Sequence, residues 1–125
     1  MRRTVLLSVL GLVCLTGPSW AGEDALAEVN AARAARGLKP FIKDADLTDG
    51  AINVADFRAA RLIAGHTSND FAGLPVGCTA SAAGCAAWDA SWGWGACCTY
   101  DNYTNAGAAW ATGRDGRRYM QLFVR

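Results

Sequence analysis

The chain of 125 residues is poor in the side chains that carry most acid-base and metal chemistry. It has one histidine, His66, and no glutamate follows Glu28. Metal centres and acid-base catalytic sites usually combine several histidines or carboxylates. A site built from two or more histidines is therefore excluded, and so is one that needs a glutamate after residue 28. Any ionisable site has to be sought around His66 and the aspartates.

Long apolar runs are equally scarce. The run from Val5 to Leu15 follows the basic residues Arg2 and Arg3. It precedes Ser19-Trp20-Ala21, which has small residues at the two positions that a signal-peptidase cleavage site requires, and the whole pattern is typical of a secretory leader. It is shorter than the roughly 20 apolar residues that span a bilayer. We predict a signal peptide over residues 1–21, a secreted or extracytoplasmic mature protein, and no stable membrane insertion.

Clusters of basic residues are missing as well. Loss of the leader leaves 10 basic residues against 11 acidic ones, a formal net charge of −1. Nucleic-acid binding needs clustered Lys and Arg, and here only Arg117 and Arg118 are adjacent, so we expect no nucleic-acid partner and a solvated edge at that pair. Residues 22–125 have the size of a single small domain, and we expect a monomer.

Four cysteines remain after the leader: Cys78, Cys85, Cys97 and Cys98. In an oxidising compartment they are most simply two disulfides, with three possible connectivities. Neighbours in an extended segment point to opposite sides, so Cys97 and Cys98 are expected to pair separately with Cys78 and Cys85. A zinc site is not expected, because the chain has one histidine and no CxxC spacing.

Two helices are predicted in the first half of the mature chain. The first runs from an Asp24 cap through Arg36, with Gly37 as a left-handed stop. The second runs from about Leu47 to Ala64, where apolar residues recur at helical spacing.

The second half of the chain divides into an irregular stretch and a hairpin. Residues 65–102 contain all four cysteines and recurrent Gly and Ser, and we predict a disulfide-stapled loop with little regular structure. Tyr103 to Thr112 and Arg117 to Val124 flank an Asp-Gly turn, which predicts two antiparallel strands. The last strand alternates two sets of large side chains, so we expect it to be covered on both faces.

Three segments together resemble the CAP superfamily, which contains the cysteine-rich secretory, antigen 5 and pathogenesis-related 1 proteins. Val29 to Pro40 is similar to the family's first helix and its Arg-x-x-x-Gly-Leu-x-Pro exit. Asp46 to Ser68 is similar to its second helix and first cavity histidine, and Tyr103 to Phe123 to its closing hairpin. The resemblance implies an α/β (α+β) domain over residues 22–125, an α-β-α sandwich with a small antiparallel sheet.

The resemblance also implies what the cavity has lost. Members of the family frame a surface cavity with two histidines and two acidic residues, sometimes with a divalent metal. Only His66 carries over, because the segment from Gly77 to Cys85 has no glutamate and the second histidine is missing. We therefore expect a degenerate cavity.

Candidate ligand-binding residues are His66, Ser68, Asp70 and Tyr103. His66 could form an oxygen-rich metal site with Asp70, Asp89 or Asp101, but one imidazole with carboxylates binds zinc poorly, so we expect neither metal nor cofactor. Catalysis could use His66 as a base for a serine, yet no Gly-x-Ser-x-Gly elbow is present.

The aromatic residues Trp88, Trp92, Trp94, Tyr100 and Tyr103 could stack on sugar rings or form a small core, and we favour the core. The sequence as a whole favours a non-catalytic binding or interaction module whose ligand is a lipid, a peptide or a glycan. The alternative is an extracytoplasmic hydrolase or metal-dependent enzyme that uses His66 with aspartates.

Overall fold

The computed structural model describes residues 21–88, 94 and 98–125. The predicted leader up to residue 20, Asp89, Trp92 and Cys97 lie outside the described residues. The elements in chain order are α1 (Ala21–Ala34), β1 (Ile42–Lys43), α2 (Ala45–Arg61), a 3-10 turn (Asp70–Gly73), β2 (Ala82–Trp88), β3 (Asn105–Thr112) and β4 (Arg118–Val124).

The strands that the structure describes form one mixed sheet in the order β1-β3-β4-β2. The predicted hairpin is confirmed: β3 and β4 are antiparallel with Ala109 opposite Gln121, and Gly116 in their turn has a φ of 83°. β2 pairs antiparallel with the other side of β4, whereas β1 runs parallel to β3. The expectation of a purely antiparallel sheet is therefore wrong at β1.

Helix α1 begins earlier than predicted and ends at Ala34, two residues before the predicted end at Arg36. It starts at Ala21, so Asp24 lies inside the helix rather than at its cap. At its end the Leu38 amide donates to the Arg33 carbonyl, and Gly37 has a φ of 72°. This left-handed glycine turns the chain towards the sheet.

Helix α2 is capped at both ends. The Asp44 side chain accepts a 3.0 Å hydrogen bond from the Leu47 amide, which satisfies one free N–H of the first turn. At the other end Leu62 adopts a left-handed conformation with a φ of 55°, and the Ile63 amide donates to the Arg58 carbonyl. The helix ends at Arg61, three residues before the predicted end at Ala64.

The two helices pack on opposite faces of the sheet, and the last strand is buried on both, as expected. The α1 face gathers Ala25, Leu26, Val29, Phe41, Cys98, Ala106, Ala108, Leu122 and Val124. The α2 face gathers Leu47, Ala51, Val54, Ala55, Ala109 and Phe123, continued by Ala59, Ala87 and Tyr119. Gly107 allows the α2 contact, because a Cβ there would lie 2.1 Å from backbone atoms of Leu47 and Thr48.

The stretch between the second helix and the hairpin is more regular than predicted. Residues Ala82–Trp88 form a seven-residue strand, although Ala and Gly have low strand propensity. Pairing with the buried strand β4 along its whole length overrides that propensity.

The cysteine arrangement differs from the prediction. No disulfide joins Cys78, Cys85 and Cys98, the mature cysteines within the described ranges. Cys98 lies in the α1-face core, whereas Cys78 packs on the α2-face core and Cys85 lies opposite Gln121 on that same face. Cys98 thus lies on the other face of the sheet from Cys78 and Cys85, and the predicted pairing of Cys98 with one of them is not present.

Within residues 21–88, 94 and 98–125, none of the helices has the length and apolar character needed to cross a membrane.

Candidate functional site

The loop after α2 carries His66, and a buried arginine fixes its position. Arg58 is fully buried, and its guanidinium donates to the carbonyl oxygens of Ile63, Ala64 and Gly65 at 2.7–3.2 Å. The same group also donates to the carbonyl oxygens of Met120 at 2.5 Å and Ala86 at 3.2 Å. Arg58 thus connects the backbone that follows α2 to strands β4 and β2. These hydrogen bonds fix the start of the loop that carries His66 relative to the sheet.

Asp70 is the anchor of the loop. Its side chain is 3% exposed. Oδ1 accepts from the Thr67 amide at 2.7 Å and the Thr67 hydroxyl at 2.6 Å, while Oδ2 accepts from the Gln121 amide at 3.2 Å. Burial by itself raises the pKa of Asp70, but hydrogen bonds from His66, Thr67 and Gln121 outweigh burial and hold that pKa below its ordinary value. Asp70 is therefore a carboxylate near neutral pH.

His66 contacts Asp70 through one nitrogen, and half of its side chain remains exposed. Its Nδ1 lies 2.5 Å from Asp70 Oδ2, and its side chain is 50% exposed. A carboxylate at Nδ1 favours a proton on that nitrogen and so orients the imidazole ring. Histidine and aspartate are four residues apart, a spacing that the 3-10 turn after Asn69 makes possible.

Two clefts flank the loop and share Thr67, Ser68 and Asn69, which we call the ridge. One cleft of about 500 Å³ lies between the ridge and α2, and is lined further by Asn53, Val54, Phe57, Ala72 and Gly73. The other, of about 350 Å³, contains His66 and Asp70 and is bounded by Phe71 and Ala83. Both volumes fall in the range of small-ligand sites.

The structure brings together three of the four predicted ligand-binding residues. His66, Ser68 and Asp70 line one cleft. Tyr103 does not join them, because it packs against the α1-face core on the other side of the sheet. Asp101 also lies on the α1 side, where its carbonyl accepts from Arg33 at 2.8 Å, so it does not complete a site with His66.

Sequence reasoning missed the two residues that support this site from below. Gln121 bridges the site, since its amide nitrogen donates to Asp70 and its oxygen lies 3.4 Å from Arg58 Nη1. Arg58 occupies a position of the apolar stripe of α2, four residues after Val54 and seven after Ala51. An arginine at a position that the helical spacing assigns to the core indicates a buried polar network, and Arg58 is such a residue.

The chemistry open to the site is limited. Within the described ranges no serine or threonine hydroxyl is hydrogen-bonded to His66, and its one carboxylate partner is Asp70. The same part of the chain holds no group of three His, Cys, Asp or Glu side chains suited to a metal ion. What the arrangement offers a ligand is one oriented imidazole beside two neutral clefts.

The α1 face carries a second polar cluster of a different kind. Glu28 Oε1 accepts from Arg118 Nη2 at 2.6 Å and from the Trp94 indole at 2.9 Å. Arg118 also stacks 4.3 Å above the Trp110 ring and is buried, so the prediction of a solvated edge is wrong for this residue. The aromatic group divides: Trp94 and Tyr103 pack on the core, as favoured, but Trp88 is exposed.

Comparison with protein-family models, with curated proteins and with solved structures gives no match for this chain.

Proposed function

We propose that this chain is an extracytoplasmic, CAP-like binding module without catalytic activity, and that its ligand occupies the clefts beside the ridge. The single observation that carries the proposal is the state of Asp70. Its carboxylate is buried and its oxygens are engaged by His66, Thr67 and Gln121, so it anchors the loop instead of facing a ligand. His66 is then the one ionisable group that the clefts expose.

The CAP assignment is supported by the order of elements. His66 follows the exit of α2, and the closing hairpin lies between two helices, which is the arrangement that the resemblance implies. The secretory leader and extracytoplasmic location rest on the pattern of residues 1–21. Intact mass of the secreted protein tests them: we expect a mature chain that begins at Gly22, and retention of residues 1–21 contradicts this part of the proposal.

One observation favours a second candidate function. His66 Nδ1 lies 2.5 Å from the Asp70 carboxylate. Hydrolases use the same contact between an aspartate and a histidine to orient the imidazole as a general base. A hydrolase of this kind would take the proton of a water or substrate hydroxyl at Nε2. The candidate is the weaker one, because no hydroxyl within the described residues is hydrogen-bonded to His66.

The experiment that separates the two functions measures turnover and binding on the same variants. Wild type, His66→Gln and the control Asp49→Asn, an exposed carboxylate on α2, are incubated with chromogenic esters, glycosides and peptide anilides. We expect no difference between the three proteins. Turnover by wild type that disappears in His66→Gln, with the fold retained, establishes the hydrolase and overturns the module.

Binding itself is tested by ¹⁵N-labelled protein and a library of neutral small-molecule fragments. We expect shift changes concentrated at Thr67, Ser68 and Asn69, because the ridge borders both clefts. Changes scattered over the surface, or confined to the α1 face around Glu28, place the binding site elsewhere and contradict the proposal.

A further inference from the structure

The lining of the two clefts contains few ionisable side chains. Of the residues that border them, His66 and Asp70 are the ionisable ones, and Asp70 is buried and hydrogen-bonded internally. No lysine, arginine or glutamate is among the lining residues. Sites for phosphates and carboxylates characteristically use arginine or lysine, so this lining fits an uncharged ligand.

Each cleft has one half-exposed phenylalanine. Phe57 on α2 is 43% exposed at the larger cleft, and Phe71 is 45% exposed at the smaller one. The Arg61 guanidinium packs 4.1 Å from the centre of the Phe57 ring, and the Phe71 ring lies 5.9 Å from that of Phe123. The Phe71 ring is thus supported by a buried residue and the Phe57 ring by the exposed Arg61, while part of each ring remains accessible.

The ridge between the rings offers uncommitted polar groups. Ser68 and Asn69 are exposed, and neither side chain makes a hydrogen bond within the described residues. A hydroxyl and an amide each combine donor and acceptor capacity, which matches ligand hydroxyl groups without demanding charge. The phenylalanine rings on the two sides of the ridge can contact apolar C–H groups of a ligand. The side chains of the ridge can hydrogen-bond its hydroxyl groups.

From this juxtaposition we infer that the two clefts bind a neutral glycan of at least two sugar units, with one unit against Phe57, one against Phe71, and hydroxyl groups at Ser68 and Asn69. The inference rests on the proposed function, because it names the ligand class of the same clefts. An extended peptide on the edge strand β2, whose Ala83 borders the smaller cleft, is the competing occupant, and the titrations below distinguish it from a glycan.

The test is titration of the mature protein with cellotetraose, chitotetraose and maltotetraose, followed by calorimetry and ¹⁵N shifts. We expect at least one of the three to bind with a Kd below about 1 mM, with shifts at the ridge. The anionic tetragalacturonate is expected to bind at least tenfold more weakly. Absence of binding by all three neutral glycans, or equal binding of the anionic one, overturns the inference.

Variants locate the contact. Phe57→Ala is expected to weaken glycan binding at least tenfold, and Ser68→Ala or Asn69→Ala severalfold. Ile52→Ala is the matched control, because Ile52 is an exposed apolar residue of the same helix that lines neither cleft. A glycan whose affinity is unchanged in Phe57→Ala, while the variant melts like wild type, does not bind as inferred.

The same titration with tetra-alanine distinguishes failure of this inference from failure of the proposed function. Peptide binding at the ridge without glycan binding overturns the glycan and leaves the binding module intact. Failure of glycans, peptides and neutral fragments alike, together with turnover that depends on His66, overturns both.

Discussion

On each face of the sheet, the covering helix carries one buried arginine near its end, Arg33 in α1 and Arg58 in α2. Arg33 donates to the carbonyl oxygens of Lys39, Thr99 and Asp101 and stacks over Phe41. Both arginines do the same structural task, because each ties the exit of its helix to distant backbone.

The two faces differ in how their remaining charged side chains are paired. On the α1 face, Glu28 is engaged by Arg118 and Trp94. On the α2 face no carboxylate within the described ranges is hydrogen-bonded to Arg58, and the nearby Asp70 is engaged by His66 instead. The Glu28 side chain is 40% exposed and that of His66 is 50% exposed, so exposure alone does not separate the faces. The clefts beside the ridge do, and for that reason we propose that the binding site lies on the α2 face.

The largest expected effect comes from removing the arginine on the functional face. Arg58→Ala removes a donor from five carbonyl oxygens, of which those of Met120 and Ala86 are buried, and should lower the free energy of unfolding by about 3–5 kcal/mol. Arg33→Ala, which loses three carbonyl contacts, should cost about 1–3 kcal/mol. Urea unfolding measures both. Equal losses would remove the distinction between the two faces.

The close contact between α2 and the sheet is the next target. Gly107→Ala should cost about 2–3 kcal/mol, because the new methyl group meets helix backbone that cannot rotate away. Gly65→Ala is the control, since a Cβ there has no atom within 4 Å and should change stability by less than about 0.5 kcal/mol. A stable Gly107→Ala variant would show that α2 moves off the sheet easily.

Much of this architecture follows from the sequence, and the failures have physical causes. Gly37 and the Asp-Gly turn predict a helix end and a hairpin because their backbone requirements are local. β2 escaped prediction because Ala and Gly carry little strand propensity and only its partner β4 imposes the conformation. The local pair His66 and Asp70 was within reach of the sequence, whereas the contacts of Asp70 with Gln121 and of Arg58 with Met120 join residues that no local pattern connects.

A smaller effect is expected at the carboxylate that holds the site. Asp70→Asn should cost about 1–2 kcal/mol at pH 7, because an amide cannot accept all the donors that meet the carboxylate. The folded-state pKa of Asp70 is lowered, so its contribution is full above the unfolded value of about 3.9 and is lost as the pH falls through the folded-state pKa. Unfolding measured from pH 7 down to pH 2 should show the two proteins converging in acid. A constant difference would assign the effect to packing.

The smallest effect is expected at the residue that first drew attention to this face. His66→Gln should change the free energy of unfolding by less than about 1 kcal/mol, because the side chain is half-exposed and Gln keeps one hydrogen bond to Asp70. For a module whose ligand contacts lie on the ridge, affinity should change less than tenfold, about 1.4 kcal/mol. Calorimetry with the best-binding tetrasaccharide measures this. A larger loss with the fold intact would return His66 to the centre of the site.

The contacts of Arg58 bear on the stage of folding at which the proposed binding site forms. The loop that carries His66 follows α2 directly, yet it is held by Met120, 62 residues after Arg58, and by Gln121, 51 residues after Asp70. Contacts this distant in sequence form late in folding, since the chain must first close a long loop. In a chain in which only α2 has formed, the smaller cleft lacks Ala83 of β2, and Arg58 and Asp70 lack their partners in β4. Ligand binding at the ridge would report completion of the hairpin, and ligand would stabilise the whole domain rather than its first half.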